Sequence, residues 1–260
     1  MRLRFCGVRG STPVAGPQYA RVGGHTSCVA VSVGDELPLL VLDAGTGLQE
    51  LTGLFGSAPF HGTILLTHLH WDHMQGLPFF PNADREDARV VVGHPAQGDA
   101  TDVMAGVMSP PYFPIGPTGL RGDWSHVGIE PGSHSHEGFT VVAHDVEHKG
   151  GRAMGYRVSH AGQSIAYVPD ALDDNDDAIV ALAQDVDVLV RGAPFVTAEQ
   201  ERADLFGHGT VEHAVEIARR ANVGRLVITH HSPFRTDEDV DKLASDHGVI
   251  AATEGLTLNV

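Results

Sequence analysis

The sequence predicts an α/β (α+β) fold, a four-layered αβ/βα sandwich in which two β-sheets face each other beneath outer helices. Three observations carry that expectation. Strand-like apolar runs dominate both parts of the 260-residue chain, helices are signalled after Asp43, His73, Asp170, Thr210 and Thr236, and neither a linker nor a repeat of roughly 20 to 50 residues divides it. Residues 1–260 therefore read as a single domain, whose 42% apolar content is enough for a well-buried core.

Arg2 to Gly7 alternates basic and apolar residues as a half-buried strand does, and leads into a tight loop, Gly7-Val8-Arg9-Gly10-Ser11-Thr12-Pro13. Gly23-Gly24-His25-Thr26-Ser27-Cys28 is another turn, with His25 expected as an exposed loop residue. Strand-like runs Val29 to Val33 and Leu39 to Leu42 follow, joined by a Gly34-Asp35 turn. Asp43 closes the second, and a short helix runs through Leu54. Thr63-Ile64-Leu65-Leu66 is a buried strand, so Thr67-His68-Leu69-His70-Trp71-Asp72-His73 forms the loop at its carboxyl end, the edge where α/β sheets build sites. His68 and His70 can point to one side of an extended loop, while Asp72 and His73 follow where the chain turns, so one loop can feed two neighbouring ions. Imidazole and carboxylate without thiolate suit zinc, manganese or iron, and point to a hydrolytic rather than a purely structural site. The bland alternative is a solvated turn with chance histidines in a chain that has 17 of them; strand context and spacing weigh against it.

Gly76-Leu77-Pro78 signals a helix start, and Arg89 to Gly93 another strand. Ser109-Pro110-Pro111-Tyr112-Phe113-Pro114 reads as a stiff loop that can wall a pocket and stack on a base, or simply pack on the surface. His126, His134 and His136 lack firm spacing and receive no role. Phe139 to His144 is strand-like and leads into Glu147-His148-Lys149-Gly150-Gly151 and Met154 to Val158. Ser164 to Val168 is a short strand ending in Pro169-Asp170, after which Asp173, Asp174, Asp176 and Asp177 look like a solvated helix start. Asp185 to Val190 is a strand ending in Arg191-Gly192-Ala193-Pro194-Phe195. Thr210 can cap a helix whose apolar positions are Val211, Ala214, Val215, Ala218 and Ala221, and Arg225 to Thr229 is a strand ending in His230-His231-Ser232-Pro233.

His68-x-His70-x-Asp72-His73 after a strand, with Asp43-Ala44-Gly45 upstream, resembles the signature of the metallo-β-lactamase-fold hydrolases. The Arg-Gly-Ser-x-Pro, Gly-Gly-x-Thr-Ser-Cys and Asp-Ala-Gly-Thr-Gly segments resemble a bacterial subgroup related to the ribonuclease Z and phosphodiesterase branch; His25 stands where that subgroup has Asn. The resemblance covers nearly the whole chain and implies a metallo-β-lactamase sandwich with its metals in the cleft between the sheets. It implies His68, His70 and His148 for one ion, Asp72, His73 and His230 for the other, and Asp170 between them. His148 precedes Gly155-Tyr156-Arg157 in the way the family's third histidine does, with His144 a competitor; Asp170 has a helix cap as its alternative role. Asp43 would steady the histidine loop through hydrogen bonds, a role compatible with capping a helix. His231 is expected as a neighbouring wall residue. Gly207-His208-Gly209-Thr210 resembles the Gly-His-Ser-Thr loop of the ribonuclease Z branch, which makes His208 and Asp72 the candidate catalytic residues. Relatives are expected to carry an acid where this chain has Gly192, a departure that leaves His208 without its orienting partner.

The formal net charge is −16 and no Lys/Arg patch stands out, so a partner held by phosphate neutralisation meets a repulsive field. Long nucleic acid is disfavoured; a small anion drawn to metal ions is not. Cys6 and Cys28 are expected as buried thiols, which fits a reducing cytosol. No apolar stretch approaches about 18 residues and no signal-peptide core opens the chain, so a soluble cytoplasmic protein without a membrane partner is expected, compatible with a homodimer. The functional expectation is a hydrolase with two divalent ions, zinc before manganese or iron, acting as a phosphodiesterase on a small-molecule phosphodiester such as a cyclic nucleotide. The alternatives are a tRNA 3′-end endonuclease, a carboxylic ester or lactone hydrolase, and a catalytically silent metal-binding regulatory domain. For the endonuclease a long basic arm is expected, whereas the 37 residues between Asp170 and His208 are mostly acidic or apolar.

Overall fold

A computed structural model describes residues 1–173 and 176–260, which leaves Asp174 of the acidic run outside the described residues. The first sheet is laid down by β1 (Arg2–Gly7), β2 (Cys28–Ser32), β3 (Leu40–Leu42), β4 (His61–Leu65), β5 (Arg89–Pro95) and β6 (Asp123–Ile129). The second follows with β7 (Gly132–His136), β8 (Phe139–Val146), β9 (Ala153–His160), β10 (Gln163–Val168), β11 (Val188–Gly192), β12 (Arg225–Thr229) and β13 (Ile250–Ala251). The last strand, β14 (Thr257–Asn259), returns to pair with β1. The orders are β14-β1-β2-β3-β4-β5-β6 and β13-β12-β11-β10-β9-β8-β7. In each sheet an antiparallel part gives way to a parallel one, beyond β3 in the first and beyond β10 in the second.

The period-2 pattern of the strands explains the layers. Leu3, Phe5, Val29, Val31, Leu40 and Leu42 of the first sheet face Val141, Tyr156, Val158, Ile165, Tyr167 and Val190 of the second in one buried cluster. Their neighbours on the opposite faces, Ala30, Val41 and Ile64, pack beneath Leu48, Phe55, Phe60, Phe80 and Met104. Ala166, Val168 and Leu189 pack beneath Ile179, Leu182 and Ile217. The outer layers hold α1 (Thr52–Phe55), α2 (Trp71–Met74), α3 (Ala100–Val107), α4 (Asp176–Ala183), α5 (Gln200–Phe206), α6 (Val211–Arg220) and α7 (Asp237–His247). The four-layered sandwich is thus present, and Cys6 and Cys28 are buried free thiols as expected.

Several expectations are corrected. The helix signalled at Gly76-Leu77-Pro78 is only a short 3-10 turn, Leu77–Phe79, with Gly76 as its N-cap, after α2 has ended at Met74. Gly76 donates its N–H to Ala44 and has no room for a side chain, since a Cβ there would meet the Gly45 carbonyl oxygen at 2.1 Å. The strand expected from Asp185 starts at Val188, because Asp185 has φ 54° and the Asp187 carboxylate accepts from Ser164 N. His126 lies in β6, and His134 and His136 in β7, edge strands whose Ser/His/Gly composition hides them from an apolar-run search. His25 is half-buried, with Nε2 3.4 Å from Glu50 Oε1. His231 is no wall residue: it is buried, its Nε2 bonds to Ala252 O at 2.9 Å, and burial pushes its pKa down to about 4. Among the described residues no helix is long and apolar enough to cross a membrane.

Candidate metal centre

The parallel strands aim their carboxyl ends at one edge of the sandwich. Asp43 follows β3, Thr67 to His73 follow β4, Asp170 follows β10, and His230 follows β12. His148 arrives from the loop after β8 and His208 from the loop between α5 and α6. Two sets of side chains meet there with ligand atoms within 4.8 Å of one another: His68, His70 and His148, and Asp72, His73, Asp170 and His230. All seven residues named from the sequence are therefore brought together. A third set within the same limit is His148, Asp170 and His208. His144 is not among them; it is exposed on β8 and turns its Nδ1 to the Asp145 carbonyl oxygen.

Asp43 is fully buried and holds the histidine loop. Its Oδ1 accepts from Thr67 N at 2.7 Å, and its Oδ2 from His73 Nδ1 at 2.8 Å and Tyr167 Oη at 2.9 Å. It caps no helix, since the following 3-10 turn starts after Gly45. The His73 bond fixes the ring's tautomer and turns Nε2 inward. His148 is set in the same way, Nδ1 donating to Gly207 O at 2.7 Å. Asp72 is steadied by the backbone N–H of Ser11 at 2.7 Å. Gly10 lies against His230, where a Cβ would fall 2.2 Å from Nδ1.

The electrostatics divide the cluster. Burial, then the neighbouring His73, keeps His68 well below its ordinary pKa, and burial also lowers His70 and His148, so these three offer neutral imidazoles. Burial would likewise lower His73, but Asp72, Asp43 and Asp170 outweigh it and hold its pKa well above the ordinary value. Burial would raise Asp170; His230, His208 and His73 prevail and keep it ionised, and Asp72 is held low by His73 and His230 against the same burial.

The donors fit a divalent ion. Nε2 of His68, Nε2 of His73 and Oδ1 of Asp170 are buried without a hydrogen-bond partner. His73 Nε2 lies 3.2 Å from Asp72 Oδ2 and 3.1 Å from Asp170 Oδ2 without hydrogen-bonding geometry to either. Unsatisfied lone pairs and buried carboxylates converging on one point are costly unless a cation sits among them.

His208 is buried beside the cluster, its ring 5.0 Å from that of His230 and its Nδ1 3.5 Å from Asp170 Oδ1. Gly192 has a steric cause, since any Cβ would meet the Pro169 carbonyl oxygen at 1.5 Å. Sequence reasoning treated Asp173 as solvated. It is instead half-buried, accepting from Thr210 N at 3.1 Å and His213 Nδ1 at 2.5 Å, and lies 3.6 Å from the buried Arg191. Arg191 itself donates to Gly192 O and Ala171 O. Ser11, Tyr167, Asp173, Arg191 and His213 were all missed; only the position of Asp173, three residues after Asp170, gave any signal.

Fold and site together define a metal-dependent hydrolase of the metallo-β-lactamase type. A family model described as the beta-lactamase superfamily domain matches residues 40–231, and the chain belongs to that superfamily, in the branch of ribonuclease Z and phosphodiesterase-like proteins. It is 24% identical to ribonuclease Z of Haloarcula marismortui, over all of this chain and 97% of that one. Among solved structures, the metallo-beta-lactamase fold protein YhfI from Bacillus subtilis superposes with a TM-score of 0.76 at 18% identity, covering 99% of each chain. A diphosphatase from the PhnP family gives a TM-score of 0.71 at 19% identity, covering 100% of this chain and 97% of the other.

Proposed function

We propose that the protein is a dinuclear metal phosphodiesterase acting on a small phosphodiester, a cyclic nucleotide or similar molecule. The observation that carries this reading is the convergence of seven His and Asp side chains, five of them buried, with Nε2 of His68, Nε2 of His73 and Oδ1 of Asp170 left without hydrogen-bond partners. His68, His70 and His148 would hold one ion, Asp72, His73 and His230 the other, and Asp170 would serve both, with zinc the expected metal for this N/O donor set. Ions so held supply activation of water and neutralisation of charge for displacement at phosphorus. The chain's own residues do the rest. Asp43, with Thr67 and Tyr167 bound to it, keeps the histidine loop in one geometry. Asp72 is locked by Ser11 N so that its carboxylate cannot swing away. His208 turns Nδ1 to Asp170, which leaves Nε2 to carry a proton to the departing oxygen, a general-acid task that imidazole side chains commonly perform.

The test is an assay of the purified protein, with metal content measured, against bis-p-nitrophenyl phosphate, 2′,3′- and 3′,5′-cyclic nucleotides, a lactone and a precursor tRNA. Hydrolysis of the small diesters with about two ions per chain is expected; turnover of the lactone alone would replace the reading. His208→Ala should slow a cyclic nucleotide by about 10²–10⁴ and the activated aryl diester much less, with both metals retained. Equal losses on both would make His208 a positioning residue, and loss of metal would make it a ligand. A ribonuclease Z activity is the second reading, favoured by the full-length similarity to the Haloarcula marismortui enzyme.

A further inference from the structure

Two phenyl rings near the cluster serve no core: Phe206 is 53% and Phe234 79% exposed. Both line a cleft of about 280 Å³ whose inner wall is His208 and His230 and whose sides include Phe195 and Arg202. Phe206 stacks on Phe195 with 6.5 Å between centroids and 12° between planes, Phe195 faces His208 at 6.2 Å, and His208 faces His230 at 5.0 Å. Aromatic faces therefore run without a break from the surface to the His/Asp cluster. Apolar area left in water gains nothing on folding, so rings held out at the mouth of a cleft call for a ligand. Arg202 adds a charge. Its guanidinium lies 5.6 Å from the Phe195 centroid, and no carboxylate pairs with it among the described residues. Arg85, Arg121 and Arg219, by contrast, each hold a carboxylate.

We propose that this cleft binds the aromatic ring of the substrate, a nucleobase or aryl group on the phosphodiester. The ring lies against Phe206 and Phe234, and Arg202 faces the anionic part. The chemistry assigned to the substrate rests on the phosphodiesterase reading; the ring site does not. The other apolar cleft, around Trp71, Phe79 and Tyr112, has none of the clustered donors in its lining.

Calorimetric titration of the metal-loaded protein with 5′-AMP and with ribose 5-phosphate tests this, because the two share sugar and phosphate and differ by the base. One stacked base is worth roughly ten- to a hundredfold in affinity, so AMP should bind at least about tenfold more tightly. The Phe206→Ala/Phe234→Ala double variant should bring the two affinities within about twofold, with only a small loss of thermal stability from the Phe206–Phe195 stacking. Arg202→Ala should weaken both ligands alike, and Tyr112→Ala neither. Equal affinities in the unsubstituted protein, no measurable AMP binding, or a preference that survives the double substitution overturns the proposal. So does a dimer that Phe234→Ala dissociates in a protein without base preference, since a second copy would then cover the rings. A base preference without hydrolysis of any diester supports the ring site and sinks the reaction assigned to it.

Discussion

Tyr167 hydroxyl and Asp43 carboxylate meet across 124 residues of sequence, 2.9 Å apart and fully buried. Burial and the nearby Asp43 push the tyrosine pKa well up, so it stays a donor at any working pH. Tyr167→Phe keeps the ring in the core and removes only that donor. Hydrogen bonds to buried charges contribute about 1.5–3 kcal/mol, so denaturant unfolding should show a loss of that size, together with weaker metal retention. An unchanged midpoint would mean that Thr67 and His73 satisfy Asp43 by themselves. This bond also marks where sequence reading stops. His68 to His73 could be read because four donors are consecutive, and Asp43 because it sits at a strand end. Nothing local in Ile165-Ala166-Tyr167-Val168 says that one aromatic carries a hydroxyl to a partner in the other sheet. Gly192 was noticed as a missing acid, while its cause, the Pro169 carbonyl 1.5 Å from where a Cβ would stand, exists only in three dimensions.

Among the elements, the loop from Gly207 to Thr210 depends most on distant support. Thr210 caps α6 through His213 N, as its position before an amphipathic run predicts, and Asp173 then clamps both Thr210 and His213. Burial would raise the Asp173 carboxyl, but the His213 bond and Arg191 prevail and its pKa is lowered. A carboxyl held low in the folded state contributes stability that is complete above its unfolded value and lost as pH falls through the folded one. The stability difference between the unsubstituted protein and Asp173→Asn should therefore be largest near neutrality and shrink as the pH falls below about 4. A difference that stays constant with pH would show that Asp173 acts by shape alone. Strand positions were largely legible: β1 and β12 fall where alternation and apolar runs put them, at Arg2–Gly7 and Arg225–Thr229. The polar edge strands β6 and β7 and the helices α3 and α5 were not, since neither an apolar run nor a strong stop signal announces them.

For the molecule as a whole, charge favours the small-diester reading over tRNA cleavage. Surface arginines that could grip a polyanion are mostly tied to carboxylates, as Arg21 is to Asp241 and Arg152 to Asp145 and Glu130. Counterion release, the main source of affinity for RNA, then has few cations to draw on. Precursor-tRNA cleavage should be weak at about 0.15 M salt and far slower than small-diester turnover; efficient cleavage at a defined site would reverse the ranking. The sandwich itself was legible from the order of strands and helices, but the matching orders of its two sheets were not. That symmetry has a consequence for how the protein is made. The cluster takes His68, His70, Asp72 and His73 from the first sheet's side and His148, Asp170 and His230 from the second's. A chain emerging from the ribosome therefore exposes a four-donor chelating loop long before its counterparts exist. Until residue 230 has been synthesised the proposed ligand set is incomplete, and a metal captured by that loop would be held by fewer donors than the proposed centre offers.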